Sequence, residues 1–307
     1  EAAYITECTD KLTAICDTSG VRKSREALNP LDYVTSSEPG FQEKHRLQEQ
    51  TAGGEKPKEG NAEKPEAEEK KPDFDELMAQ LDSLVGLDDV KKDIKNLMNL
   101  VKVRRLRKEN GLPIPPMSLH MVFMGNPGTG KTTVARIISG LYAAIGVLEK
   151  GQLIEVDRSG LVAGYVGQTA LKTQEVIKSA LGGVLFIDEA YSLASGGEND
   201  FGREAIETIL KAMEDHRDEL IVVVADYDEP MEKFINSNPG LQSRFNKYFY
   251  FPDYNGEQLL HIFKGQCKKN GYALTEEAEA EAKAMFEELY ENRGENFGNG
   301  RDVRNVF

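Results

Sequence analysis

Two rhythms of apolar and polar residues run along this chain. In the first, short apolar runs alternate with stretches whose apolar positions recur three and four residues apart. The runs are Leu119–Met124, Leu153–Val156, Val184–Ile187, Ile221–Ala225 and Tyr248–Phe251. Each is too short for a helix and carries few or no charges, which predicts strands buried on both faces of a parallel sheet. Between them, Val134, Ile137, Ile138, Leu141 and Tyr142 fall on one helical face, and upstream Val90, Ile94, Leu97, Met98 and Val101 fall on another that ends before the turn region Gly111–Pro116. The alternation predicts an α/β domain over residues 72–253, with a parallel five-stranded sheet covered by helices. Beyond Pro252 the second rhythm is helical alone, over Gly256–Lys269, Thr275–Glu291 and from near Gly300. A small all-α domain is therefore expected over 254–307, cut short in its third helix.

Ahead of these domains the pattern fades. Residues 1–50 carry one helix-like stripe of Tyr4, Ile5, Cys8, Leu12 and Ile15, then mixed polar sequence, and read as the end of a preceding helical segment. Thr51–Lys71 has no large apolar residue and is built from Glu, Lys, Pro, Gly and Ala. It cannot bury enough surface to fold, which predicts a charged flexible linker, and Pro57 and Pro65 disfavour an ordered helix there.

Composition narrows the function classes. The 307 residues are 39% hydrophobic, enough for one sizeable core and a smaller one. With 52 acidic against 38 basic residues the net charge is −14, which argues against a general nucleic-acid surface and favours a protein partner. Cys8, Cys16 and Cys267 are odd in number and form no C-x-x-C pattern, so reduced thiols and a cytoplasmic location are expected. No apolar run approaches the ~20 residues of a membrane span. The four histidines show no metal-ligand spacing. The chain does not begin with Met and reads as a fragment.

Chemistry concentrates at Gly125–Thr132, GNPGTGKT, which matches G-x-x-x-x-G-K-[ST] at every fixed position. The apolar run before it and the amphipathic helix after it place unpaired backbone N–H groups and the positive end of a helix dipole at one point, where phosphate binds. Asn126, Pro127, Gly128, Thr129, Gly130, Lys131, Thr132 and Thr133 are the expected nucleotide-binding residues. Gly128 and Gly130 let the backbone approach without a Cβ, Lys131 reaches the β and γ phosphates, and the Thr132 hydroxyl holds Mg²⁺. The strand Gly183–Ile187 ends in Asp188 and Glu189. Beside a phosphate loop, that pair predicts a Mg²⁺ ligand (Asp188) and a general base for water (Glu189), hence hydrolysis rather than transfer to a bound acceptor.

Taken together, the strings LVGLDDVKKDI (84–94), GNPGTGKTT, GLVAGYVGQTALKT (160–173), GGVLFIDEAYSL (182–193), NPGLQSRF (238–245), FPDY (251–254) and GNGRDVRN (298–305) resemble the AAA+ ATPases over residues 74–307. Within that family the resemblance is to the group holding the red-type Rubisco activase CbbX, stage V sporulation protein K and the type VII secretion ATPase. It implies a homo-oligomeric, hexameric ring that remodels a protein substrate. Val85, Gly86 and Leu87 match the segment against the adenine. Arg244 matches the arginine finger acting on a neighbouring subunit's ATP, and Arg301 the sensor 2 arginine of the lid. On their residues alone, Arg244 reads as a surface arginine after a glycine-containing turn and Arg301 as a partner of Asp302. Tyr165 and Val166 match the pore loop that grips a polypeptide, with a buried loop residue as the lesser alternative for Tyr165 in so glycine-rich a context. Ser192–Gly202 has the place of a second pore loop.

One position departs from the pattern: Asp226, in the sensor 1 region, stands where related chains usually have Gly. Its carboxylate can orient the attacking water, slow hydrolysis by adding negative charge near the γ-phosphate, or point away. Two other function classes stay open on sequence, a nucleotide-gated interaction switch and a nucleic-acid motor or loader. In the remodelling reading, residues 1–50 and the linker position the protein partner.

Overall fold

The computed structural model describes residues 73–115, 117–165, 167–196, 200–295 and 297–307. The segment 1–50, the linker 51–71 and Val166 lie outside the described residues, as do 197–199 of the candidate second pore loop.

Two helices, α1 (Phe74–Ser83) and α2 (Asp88–Glu109), precede the sheet. The five strands are β1 (Met121–Met124), β2 (Leu153–Val156), β3 (Gly183–Ile187), β4 (Leu220–Asp226) and β5 (Tyr248–Tyr250). All pair in parallel in the order β2-β3-β4-β1-β5. The order follows from burial: β3 and β4, apolar at nearly every position, are buried throughout and stand inside the sheet. β5 is an edge with Phe249 inward and Tyr248 and Tyr250 outward. Phe123 of β1 sits among Phe186, Phe249 and Phe251 at ring separations of 6.4, 5.4 and 4.9 Å, an aromatic core beside the glycine-rich loop that follows β1.

The crossovers are α3 (Lys131–Ala144), the short α4 (Arg158–Leu161), α5 (Gln168–Ala180), α6 (Gly202–Asp215), α7 (Asp228–Asn236) and α8 (Pro239–Arg244). Right after β3 comes a 3₁₀ turn, Ala190–Leu193. The register places Met124 beside both Asp226 and Tyr250, and Ile187 beside Val224. The C-terminal ends of β1, β3 and β4 thus open at one level, where open α/β sheets hold ligands.

Regular pairing of β1 starts at Met121, two residues later than the apolar run predicts. The cause is His120: its Nδ1 accepts the N–H of Val222 at 3.0 Å, so a side chain takes a place in the ladder that the backbone would fill. Burial first, then the charges of Arg244 and Lys247, lower His120 from 6.5 to about 4, and the imidazole is neutral at physiological pH.

Three helices follow the sheet, α9 (Gly256–Lys269), α10 (Glu276–Glu291) and α11 (Gly300–Val306). Asn255 and Gln258 form a reciprocal capping box on α9, and the Thr275 side chain caps α10 by accepting the Ala278 N–H. Phe263 and Phe286 pack in the core of this small domain at a ring separation of 5.5 Å, and the half-exposed Phe307 covers Phe263 from outside at 6.3 Å. Among the described residues no helix is long and apolar enough to cross a membrane.

Candidate functional site

A cavity of about 770 Å³ opens over the strand ends. Val85 and Leu87 line one side, the loop residues Pro127, Gly128, Gly130, Lys131, Thr132 and Thr133 its floor, and Asp188, Glu189 and Asp226 its far wall. The small helical domain closes it with Ile262, Gly300 and Arg301. Leu87 adopts the left-handed conformation, φ 59°, unusual for a branched side chain and held there by burial at the start of α2.

The loop is built on glycines at the positions that need them. Gly125, Gly128 and Gly130 have φ of 141°, 71° and 98°. A Cβ on Gly125 would stand 2.2 Å from the carbonyl oxygen of Phe251, so Gly125 is fixed by packing as well as by conformation. Asn126 and Thr129 do not face the cavity. The buried Thr129 hydroxyl donates to Asn126 O at 2.8 Å and fixes the turn from within. Lys131 is aimed back along the loop, its Nζ donating to Gly125 O at 2.7 Å and Asn126 O at 2.9 Å. Burial lowers its pKa below the ordinary ammonium range, and the carboxylates of Asp188 and Asp226 oppose that shift. A desolvated ammonium with only neutral carbonyls as direct partners interacts strongly with an arriving phosphate.

Across the cavity, Asp188 follows β3, and its N–H donates to Val156 O at 2.9 Å. Glu189 lies in the left-handed region at φ 50°, its N–H 3.1 Å from its neighbour's carboxylate Oδ1. A non-glycine residue held in that conformation beside a cleft stores backbone strain of ~1–3 kcal/mol and persists only where its surroundings impose it.

Asp226 supplies part of that imposition. Its Oδ2 accepts the Tyr191 N–H at 2.7 Å and its Oδ1 the Tyr227 N–H at 2.8 Å. Burial raises its pKa, the two backbone donors oppose the rise, and the charges of Asp188 and Glu189 add to it. Both oxygens are engaged by backbone, one of them pinning the 3₁₀ turn that follows Glu189, while the residue itself lines the cavity wall.

The donor set suits Mg²⁺ brought in with nucleotide. Thr132 and Asp188 offer oxygen donors on the cavity wall, and among the described residues no group of three or more His, Cys, Asp or Glu forms a protein cage for a metal. A cation that keeps most of its waters and takes phosphate oxygens needs only one or two protein ligands. Glu155 of β2, which the sequence pattern does not single out, accepts from the Thr132 hydroxyl at 3.3 Å. A lone carboxylate inside an apolar strand run is the signal that marks it.

Arg244 and Tyr165 lie apart from the cavity. At the end of α8, the Arg244 Nη2 sits 3.2 Å from Glu214 Oε2, while its Nε is buried with no acceptor among the described residues. Arg301, at the start of α11, faces the cavity, and the Asp302 carboxylate accepts the Gly298 N–H at 3.0 Å. Tyr165 is 74% exposed between α4 and α5, which removes the buried-loop alternative. Glycines 164 and 167 flank it, and a Cβ on either would meet nothing within 4 Å.

With this geometry in place, comparison with known proteins is direct. The family described as "ATPase family associated with various cellular activities (AAA)" matches residues 121–253, and an AAA lid domain matches residues 255–307. The chain is 48% identical over 233 residues to stage V sporulation protein K of Bacillus subtilis (strain 168), covering 76% of this chain and 72% of that protein. It is 45% identical over 234 residues to protein CbbX of Cereibacter sphaeroides, covering 76% and 75%. It is also 45% identical over 236 residues to the chloroplastic ribulose bisphosphate carboxylase/oxygenase activase of Cyanidioschyzon merolae (strain NIES-3377 / 10D), covering 76% and 79%.

Proposed function

The chain belongs to the AAA ATPase family and is an ATP hydrolase of that family, and from this premise we propose that it works as a ring that uses ATP and Mg²⁺ to pull on a protein substrate through Tyr165. The observation that carries the pulling role is the position of Tyr165: a large ring exposed to solvent, on a glycine-flanked loop, outside the lining of the cavity. An exposed aromatic loses solvent contact favourably against any polypeptide and has few rotamers to freeze, so it grips without reading sequence.

In the proposed reaction the adenine lies against Val85, Gly86 and Leu87, and the triphosphate lies over Asn126 to Thr133. Mg²⁺ arriving with the nucleotide would supply neutralisation of the phosphate charge. Thr132 and Asp188 hold the metal. Lys131 exchanges its two carbonyl partners for phosphate oxygens. Glu189 takes the proton of the attacking water as the new P–O bond forms and the bond to the β-phosphate oxygen breaks. Arg301 reaches the phosphates from the lid. Arg244 serves a neighbouring subunit's site, a role that its distance from its own cavity supports, and leaves Glu214 to do so.

A nucleic-acid role gains no support from the basic end of α2. Arg105 pairs with Glu109 at 2.8 Å, and Arg107 donates to Pro113 O at 2.9 Å. The deciding pair of variants is Glu189→Gln and Tyr165→Ala. Glu189→Gln should bind ATP and lose ~10²- to 10⁴-fold in hydrolysis, and it should retain a protein partner in a pull-down. Tyr165→Ala should keep its melting temperature and basal hydrolysis within a few-fold and lose stimulation by that partner. A stable Tyr165→Ala protein with intact stimulation would remove the pulling role and favour a nucleotide-gated switch.

A further inference from the structure

The outward side of the phosphate loop is bonded to the small helical domain. Gly128 O accepts the Gly300 N–H at 3.1 Å, and Thr129 O accepts the Tyr254 hydroxyl at 2.9 Å. Asn126 Nδ2 donates to both oxygens of Asp253, at 2.9 and 3.1 Å. Asp253 Oδ1 in turn accepts from Asn299 Nδ2 at 2.7 Å. Asn299 is fully buried, and its amide is used on both sides: Oδ1 accepts the Tyr254 N–H at 2.8 Å, and Nδ2 also donates to Phe297 O at 3.0 Å. Its backbone sits at φ 51°, ψ −124°, a conformation that glycine adopts easily and other residues rarely. Such a residue persists only where side-chain bonds over-determine it. The two domains are so close at Gly128 that a Cβ there would stand 2.2 Å from Gly298 O and 2.7 Å from the Arg301 nitrogen.

Peptide geometry turns these contacts into an effect on the phosphate site. In a trans peptide the C=O and the following N–H point in opposite directions. Lid partners on the carbonyls of Gly128 and Thr129 therefore turn the N–H groups of Thr129 and Gly130 away from those partners, and Gly130 lines the cavity. We propose that Asn299 is a positioning residue of the ATP site: through Asp253 and Tyr254 it holds the phosphate loop with its carbonyls toward the lid, and nucleotide binds to the lid-docked form. The inference rests on the cavity being the ATP site. It gives Asn299 and Asp253 a role distinct from that of Arg301, because neither lines the cavity, whereas Tyr254 lines it and acts on the loop through its hydroxyl on Thr129 O.

The test compares the full chain with Asn299→Gly, Tyr254→Phe and Asn126→Ala, using ATP affinity by calorimetry, turnover at saturating ATP and melting temperature. Asn299→Gly tolerates the backbone conformation and removes only the side-chain bonds. Tyr254→Phe removes one hydroxyl and keeps the ring. If only the lid-docked form binds, the apparent Kd rises in proportion to the undocked fraction. Roughly tenfold weaker binding is expected for Asn299→Gly and about threefold for Tyr254→Phe, with saturated turnover within about threefold of the parent. A merely structural lesion would lower melting temperature and turnover together and leave no such split. Because Asn126 and Asn299 act through the same carboxylate, the Asn126→Ala/Asn299→Gly double variant should bind no more weakly than the weaker single. Affinity within twofold of the parent in both Asn299→Gly and Tyr254→Phe, or fully additive losses in the double variant, overturns the proposal, given that Lys131→Ala abolishes binding. Unaltered ATP affinity in Lys131→Ala would instead overturn the ATP site itself. Should Asn299→Gly fail to fold, Tyr254→Phe decides alone.

Discussion

Asp226→Ala separates a clamp from a brake. In the structure the carboxylate holds two backbone N–H groups, those of Tyr191 at 2.7 Å and Tyr227 at 2.8 Å, and is only 6% exposed. Hydrogen bonds to a charged group contribute about 1.5–3 kcal/mol each, so removing both costs roughly 3–6 kcal/mol before any offset. The offset is real: the variant also relieves a buried charge that the neighbouring carboxylates Asp188 and Glu189 already disfavour. A net loss of about 1–3 kcal/mol is expected, read as the shift in the urea midpoint with an unchanged slope. The kinetic consequence follows from the strained Glu189 at φ 50°, next to the pinned turn. Freed, the general base drifts, and misplacement of about 1 Å costs on the order of 10²-fold in rate. Single-turnover hydrolysis should therefore fall by about 10- to 10²-fold, while ATP affinity stays level or rises with one negative charge fewer in the cavity. Asp226→Asn keeps one acceptor, leaves one donor unpaired, and should fall between. Faster hydrolysis in Asp226→Ala at unchanged stability would refute the clamp and make Asp226 a brake on turnover.

Three further outcomes follow from the same geometry. Lys131→Ala should abolish ATP binding by calorimetry, because backbone dipoles alone do not neutralise the triphosphate; parental affinity would refute the phosphate-loop assignment. Arg244→Ala should lower turnover by ~10³-fold or more, and mixing it with Lys131→Ala subunits should restore part of the activity, since one supplies the arginine and the other the phosphate site. No rescue in mixed assemblies of confirmed size would make Arg244 structural, holding Glu214 and Gly240 O. His120, lowered from 6.5 to about 4, is neutral when folded and takes up a proton on unfolding below pH 6.5. Its contribution is therefore complete above pH 6.5 and is lost as pH falls from 6.5 to about 4, a change of roughly 3 kcal/mol at ~1.4 kcal/mol per pH unit. His120→Gln, which still offers Val222 an acceptor, should lose less stability than the parent between pH 7 and 4.5 in urea titrations.

The fold was legible where apolar runs met no competing partner. β3 and β4 read correctly because residues buried on both faces admit almost nothing but Val, Ile, Leu and Phe, and their burial also forces them to the inside of the sheet. The start of β1 did not read correctly. His120 satisfies the Val222 N–H with a ring nitrogen, and no spacing in the sequence announces a side chain standing in for backbone. The 3₁₀ turn after Glu189 was equally hidden, because it depends on a carboxylate 35 residues further along the chain.

The phosphate site divides along the same line. Its loop and its paired acids are local strings, so residue type and spacing carry their chemistry. What orients those strings is non-local. Composition left the direction of the Asp226 carboxylate open, and only the register of β4 against β3 brings it under the Tyr191 N–H. Gly128 makes the point most sharply. On sequence, its missing Cβ serves the approach of phosphate; in the structure, its φ of 71° asks for glycine and the same space is taken by the lid, with Gly298 O 2.2 Å from where a Cβ would be. Gly128→Ala would therefore strain the loop and push the lid away together. A glycine that looks like a ligand contact on sequence is also a docking contact between two domains, where Gly300 N–H meets Gly128 O beside the bonds through Tyr254 and Asp253.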